Sequence, residues 1–181
     1  MASPPASAPP PQNLPIRMSS KVVRGYGRGS KDLGVPTANL DPRSEGYRGR
    51  SFEELPTGIY WGFCRIGSEP TVYATACSIG YNPTYGNETK TVEPHLIAPD
   101  ENDERRRASS CGESVLGDFY GESLRMSLVG YLRPELPFEG LERLIEAIKN
   151  DITNAVRLGN DFTDEAAGRE RAWVASDSTD F

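Results

Sequence analysis

"GIYWGFCRIG" (58–67) and "TVYATACSIGY" (71–81) are two runs rich in aromatic and β-branched residues. The turn formers Gly67, Ser68, Glu69 and Pro70 separate them. The pair reads as a β-hairpin, and it places the chain among β proteins. Working outward, "KVVRGY" (21–26) is a short β-branched run that ends at glycines, and "TVEPHLI" (91–97) is another strand candidate. Pro94 cannot donate to a ladder, so that strand is expected at an edge or a bulge. "SLRMSLVGYL" (123–132) puts Leu124, Met126 and Leu128 on one face, which is strand periodicity.

The period changes after residue 138. In "FEGLERLIEAIKNDITNAVRLG" the apolar positions Leu141, Leu144, Ile145, Ile148, Ile152 and Val156 fall at helical spacing. This predicts an amphipathic helix of about five turns that covers one side or end of a barrel. A second short helix can start near Thr163, where Asp164 and Glu165 suit a helix N-terminus. Residues 41–56 and 98–117 are polar and turn-rich and read as surface loops. Within the second, "RRRASS" could attract a basophilic kinase, but it reads as a solvated charge run. Strands followed by one long helix predict a closed, mostly antiparallel barrel with a C-terminal helix.

Composition sets the outer bounds. The chain has 181 residues, 36% of them hydrophobic, which fits one domain with some excess. Mean hydropathy is −0.54 and the sequence pI is near 4.9. A net charge of −6 argues against non-specific nucleic-acid binding, which needs a basic footprint. The Pro/Ala/Ser-rich residues 1–17 have little to bury and are expected to be a disordered arm. Cys64, Cys77 and Cys111 show no metal or CxxC spacing and read as free thiols in a reducing compartment. The sequence shows neither a membrane-length apolar run nor a secretory pattern, so a cytoplasmic protein is expected.

"GRGSKDLGVPTAN" (27–39) raises the question of function. It is not a Walker A loop, because Ser30 precedes Lys31 and no hydroxyl residue follows. It is not a dinucleotide fingerprint either, because Gly25, Gly27 and Gly29 are spaced G-x-G-x-G and Pro36 opposes a helix. The glycines alone fit a flexible turn as well as a phosphate loop. Thr37 and Asn39 change the balance. In an extended segment they point to one side, and both offer hard oxygen donors suited to a magnesium ion that also holds phosphate. Further on, Glu93 and His95 share a strand face. His95 is the only histidine, which excludes a multi-histidine metal cluster. If an enzyme needs a base here, the candidates are Glu93 and His95.

Five blocks together resemble the riboflavin kinase (flavokinase) family: "VVRGYGRGSKDLGVPTANL", "TGIYWGF", "SIGYNPTYGN…KTVEPHL", "DFYGESLRMSLVGYLRPELPF" and "LERLIEAIKNDITNA". The resemblance implies a six-stranded antiparallel Greek-key β-barrel with a C-terminal helix, over residues 18–160. Residues 161–181 would be an extension. It implies transfer of the γ-phosphoryl of ATP to the 5′-hydroxyl of riboflavin, giving FMN and ADP. By the same resemblance, Gly25, Gly27, Gly29 and Lys31 surround the ATP phosphates. Thr37, Leu96, Ala98 and Tyr120 fall on the nucleotide side. Thr37 and Asn39 match the metal pair, for Mg2+ or another divalent ion such as Zn2+ or Mn2+. Glu93 matches the catalytic carboxylate, and Arg133 and Phe138 match flavin-side positions. The implied partners are small molecules, with no nucleic acid, no membrane and a monomeric state. Bacterial relatives carry an adenylyltransferase module ahead of the kinase. Nothing of that size precedes Ser20, so FAD synthesis is not expected. Two rivals have different signatures: a non-catalytic flavin- or nucleotide-binding barrel would not need Glu93, and an OB-type RNA binder would show basic strand faces with exposed stacking aromatics.

Overall fold

The computed structural model describes residues 11–25, 35–43, 51–81, 89–98, 106–109, 112–115 and 117–178. Its core element is the expected hairpin: β3 (Gly58–Ile66) pairs antiparallel with β4 (Tyr73–Gly80). β4 pairs with β5 (Thr91–Ile97), and β8 (Ser123–Arg133) returns to lie on the other side of β3. Three consecutive strands and a returning fourth give the spatial order β8-β3-β4-β5, a Greek key. β1 (Ile16–Val23) adds beyond β8, and the two-residue β2 (Asn39–Leu40) adds beyond β1.

The sheet curls until its ends approach each other. The amide of Ala38, just before β2, donates to the Pro94 carbonyl oxygen of β5 at 2.9 Å. In a strand, a residue's N–H and C=O point the same way. The N–H that Pro94 lacks therefore faces this seam and not β4, so the β4–β5 ladder runs uninterrupted through Cys77↔Pro94.

Alternation divides the side chains into two clusters. Met18, Tyr60, Cys64, Cys77, Ile79, Val92 and Leu96 point into the barrel. So do Leu124, Met126 and Leu128, each fully buried, as their period-two spacing predicted. Trp61, Phe63, Ala76 and Ile97 point outward, under the helices. α1 (Leu141–Gly159) lays Ile145, Ile148, Ile152, Ala155 and Val156 on this outer face. α2 (Glu165–Ala175) is N-capped by Asp164, whose carboxylate accepts from the amides of Ala166 and Ala167. It adds Ala167, Trp173 and Val174. Trp173 lies under Arg125, 3.5 Å from guanidinium to ring centre. Glu170 takes Arg17 in a two-toothed ion pair at 2.8 Å and Ser127 at 2.7 Å.

Three sequence expectations need correction. β1 starts at Ile16, which is 1% exposed, so residues 16 and 17, read as the end of an arm, belong to a strand. The Pro-rich lead-in conceals the alternation of Ile16, Met18 and Ser20, all buried. The end of the 41–56 loop is not surface. Phe52 and Leu55 are core residues on a 3-10 turn, and the buried Lys90 ammonium donates to the carbonyls of Glu53 (2.7 Å) and Leu55 (2.6 Å). The 98–117 stretch is not all loop either. It contains a hairpin, β6 (Arg106–Ser109) and β7 (Gly112–Val115), joined to β5 at Ile97↔Ser114.

Candidate active site

The helices leave one end of the outer face open. Across it, Arg133, Ile59, Ser78 and Glu93 form one row through β8, β3, β4 and β5, and Gly80 and Thr91 form a second row beside the last two. Paired residues share a face, so these side chains stand together.

Glu93 is oriented by hydroxyls on both sides. Thr91 donates to Oε1 at 2.8 Å and Thr37 donates to Oε2 at 3.3 Å. Both partners are neutral, so among the described residues the carboxylate's charge is not spent in an ion pair. Thr37 arrives on the segment that closes the sheet. Ala38 and Leu40 are buried there while Thr37 and Asn39 are half-buried, so the expected alternation holds. The amide of Asn39 occupies the space that a Cβ on Gly25 would need. A side chain at 25 would displace the Asn39 amide, and the contact brings the chain just after β1 against the Thr-Ala-Asn segment. Gly27, Gly29 and Lys31 lie outside the described residues.

His95 sits two residues along from Glu93, under the closing segment. It is 3% exposed, and its Nδ1 lies 2.8 Å from the Pro36 carbonyl oxygen, which makes Nδ1 the donor. Burial lowers its pKa from the ordinary value, opposed by the Pro36 contact. With its proton pinned to a carbonyl, the ring holds Pro36 in place instead of facing the open surface. Of the two base candidates, only Glu93 has that exposure.

Behind Thr37 is a pocket. Its walls include Val22, Thr37, Leu96, Val115, Phe119 and Tyr120. Three of the residues expected on the nucleotide side, Thr37, Leu96 and Tyr120, therefore meet in one cavity. Ala98 stands one residue past β5 and is half-buried. Arg24 lies over the Tyr120 ring at 4.8 Å, a placement that no sequence pattern marked.

On the far side of Glu93, Arg133 ends β8. It makes a bidentate ion pair with the buried Asp151 of α1, the closest contact being 2.7 Å. Its guanidinium lies 5.3 Å from the Phe138 ring centre. Burial raises the Asp151 pKa, and Arg133 opposes this. The two expected flavin-side residues thus adjoin each other at the edge of α1. Glu135 is a member of the site that the sequence does not reveal. Its carboxyl stands over Gly80, takes a 3.4 Å hydrogen bond from Ser78 Oγ, and accepts from the Tyr81 backbone. The sequence carries no signal for it, because residues 134–137, Pro-Glu-Leu-Pro, have no periodicity.

A small barrel with a polar open face, a carboxylate between two hydroxyls and an adjoining pocket defines a small-molecule site. The flavokinase family, described as riboflavin kinase, matches residues 12–158. The riboflavin kinase of Homo sapiens is 41% identical over 144 residues, covering 80% of this chain and 81% of that protein. The riboflavin kinase of Aspergillus fumigatus is 37% identical over 170 residues, covering 81% and 77%. The crystal structure of riboflavin kinase from Trypanosoma brucei superposes with a TM-score of 0.60 at 22% identity, covering 94% of this chain and 96% of that one. At that identity it speaks for the fold. The chain belongs to the riboflavin kinase family.

Proposed function

We propose that this chain is a riboflavin kinase that transfers the γ-phosphoryl of ATP to the 5′-hydroxyl of riboflavin, with Glu93 as general base. The observation that carries the base assignment is the Glu93 carboxylate, held by two neutral hydroxyls on an open face. The nucleotide pocket lies on one side of it and Arg133 with Phe138 on the other. Glu93 takes the 5′-hydroxyl proton as the new O–P bond forms, and the bond from the γ-phosphorus to the ADP oxygen breaks. Solvent then receives the proton from Glu93. Leu96 and Tyr120 hold the nucleotide, and Arg133 and Phe138 hold the flavin ring.

Thr37 and Asn39 fit a divalent ion. They are hard neutral donors on one face, beside a glycine that gives the backbone close approach. When bound, magnesium would neutralise charge on the phosphates. Thr37 can donate its proton to Glu93 and still offer an oxygen lone pair. No helix among the described residues is long and apolar enough to cross a membrane. Cys64 and Cys77 are free and buried, which suits the cytoplasm.

The test is direct. Incubation of the purified protein with riboflavin and MgATP should yield FMN and ADP in equal amounts, and chelation with EDTA should stop it. ADP without FMN, or no product, would overturn the reading.

A further inference from the structure

Glu135 is a half-buried carboxylate with no ion pair among the described residues. The cation beside it, Arg133, is engaged with Asp151. Burial raises the Glu135 pKa above its ordinary value and the charge of Glu93 adds to this, while the Ser78 and Tyr81 hydrogen bonds and the charge of Arg133 oppose it. Two carboxylates in electrostatic reach, with the neighbouring cation already paired to Asp151, work against stability, and such arrangements concentrate at functional sites.

The placement says which function. Glu135 Oε1 contacts Ser78, the residue between Ile59 and Glu93 in the cross-strand row that starts at Arg133. That row spans three interstrand steps of about 4.8 Å each. Glu135 therefore stands between the residues that hold the ring and the residue that meets the terminal hydroxyl. Beneath it β4 presents only Ser78 and Gly80, and a Cβ at Gly80 would collide with its carboxyl group. The floor is kept low and the carboxyl is left room above it.

We propose that Glu135 is a substrate-binding residue whose carboxylate accepts hydrogen bonds from the secondary hydroxyls of the ribityl chain. It thereby fixes where the 5′-hydroxyl meets Glu93. This rests on the assignment of riboflavin as acceptor. A polyol presents several O–H donors, a carboxylate presents acceptors only, and hydrogen bonds to a charged acceptor are the strong class.

The test compares riboflavin with lumiflavin, the same ring carrying a methyl group in place of the ribityl chain. Affinities for both are read from quenching of flavin fluorescence without ATP, on the wild type, Glu135→Gln and Gly80→Ala. Glu135→Gln keeps the size and removes the charge. Gly80→Ala keeps the charge and evicts the carboxyl. Both variants should weaken riboflavin binding about tenfold or more, the range for a hydrogen bond to a charged group, and leave lumiflavin within about twofold. Equal losses for the two ligands, or no loss, in whichever variant melts like the wild type would overturn the proposal and leave the kinase reading intact. A wild type that binds neither flavin would sink both.

Discussion

Along β4 the outward side chains are Ala74, Ala76, Ser78 and Gly80. Against them on β5 stand Ile97, His95, Glu93 and Thr91. At the first end Ala74, Ala76 and Ile97 are apolar and pack with α1 and α2, with Trp61 and Phe63 alongside. At the other end the same alternation continues, but the residues are a hydroxyl, a glycine, a carboxylate and another hydroxyl. Backbone geometry is the same at both ends, so side-chain chemistry alone decides which is core and which is site. The open end is a place where the fold withholds a helix. His95, paired with Ala76, marks the boundary.

The severest test of this division is Glu93→Gln. On the open end, kcat should fall by roughly 10²–10⁴-fold while the melting temperature holds. Near wild-type kcat in a well-folded variant would end the base assignment. Trp173→Ala strikes the covered end, where the ring is buried under Arg125. It should cost about 3–5 kcal/mol in urea unfolding and leave the KM for riboflavin unchanged below the transition. A raised KM with unchanged stability would show that the two ends are not separate.

His95 gives the smallest effect and tests the boundary itself. Its folded pKa is below the ordinary 6.5 because the ring is buried. As pH falls through the ordinary value, the unfolded chain takes up a proton that the folded ring refuses. The unfolded state then binds more protons, and stability must drop toward acid. A decline in stability is expected as pH falls through that ordinary value, with a slope of at most about 1.36 kcal/mol per pH unit. His95→Gln should flatten it. An equal slope in that variant would place the titration elsewhere.

Much of this architecture is legible in the sequence alone. Aromatic and β-branched density marks the β3–β4 hairpin, period two marks the buried face of β8, and period 3.6 marks α1. The same period-two argument puts Glu93 and His95 on one face, and Thr37 and Asn39 on another. What stays hidden lacks periodicity. Residues 106–115 are too polar to announce strands, and Phe52 and Leu55 are isolated apolar residues in a polar run. Glu135 stands in a proline-flanked segment after its strand ends. The difference between Glu93 and His95 is also invisible there, because only the crossing of Pro36 over β5 makes one buried and the other available.

The pairing of β1 with β8 sets a timetable for synthesis. Ile16 faces Leu128, so β1, which meets only the two-residue β2 early on, lacks its long partner until β8, the last strand, arrives. At about 5–20 residues per second, that wait is roughly 5 to 20 seconds. β3, β4 and β5 can pair during it, so Glu93 and Ser78 come together while the nascent chain is still growing. Arg133 and Glu135 follow only once β8 has slotted between β1 and β3. The half of the site that carries Glu93 is born first, and the half that carries Arg133 and Glu135 is completed last.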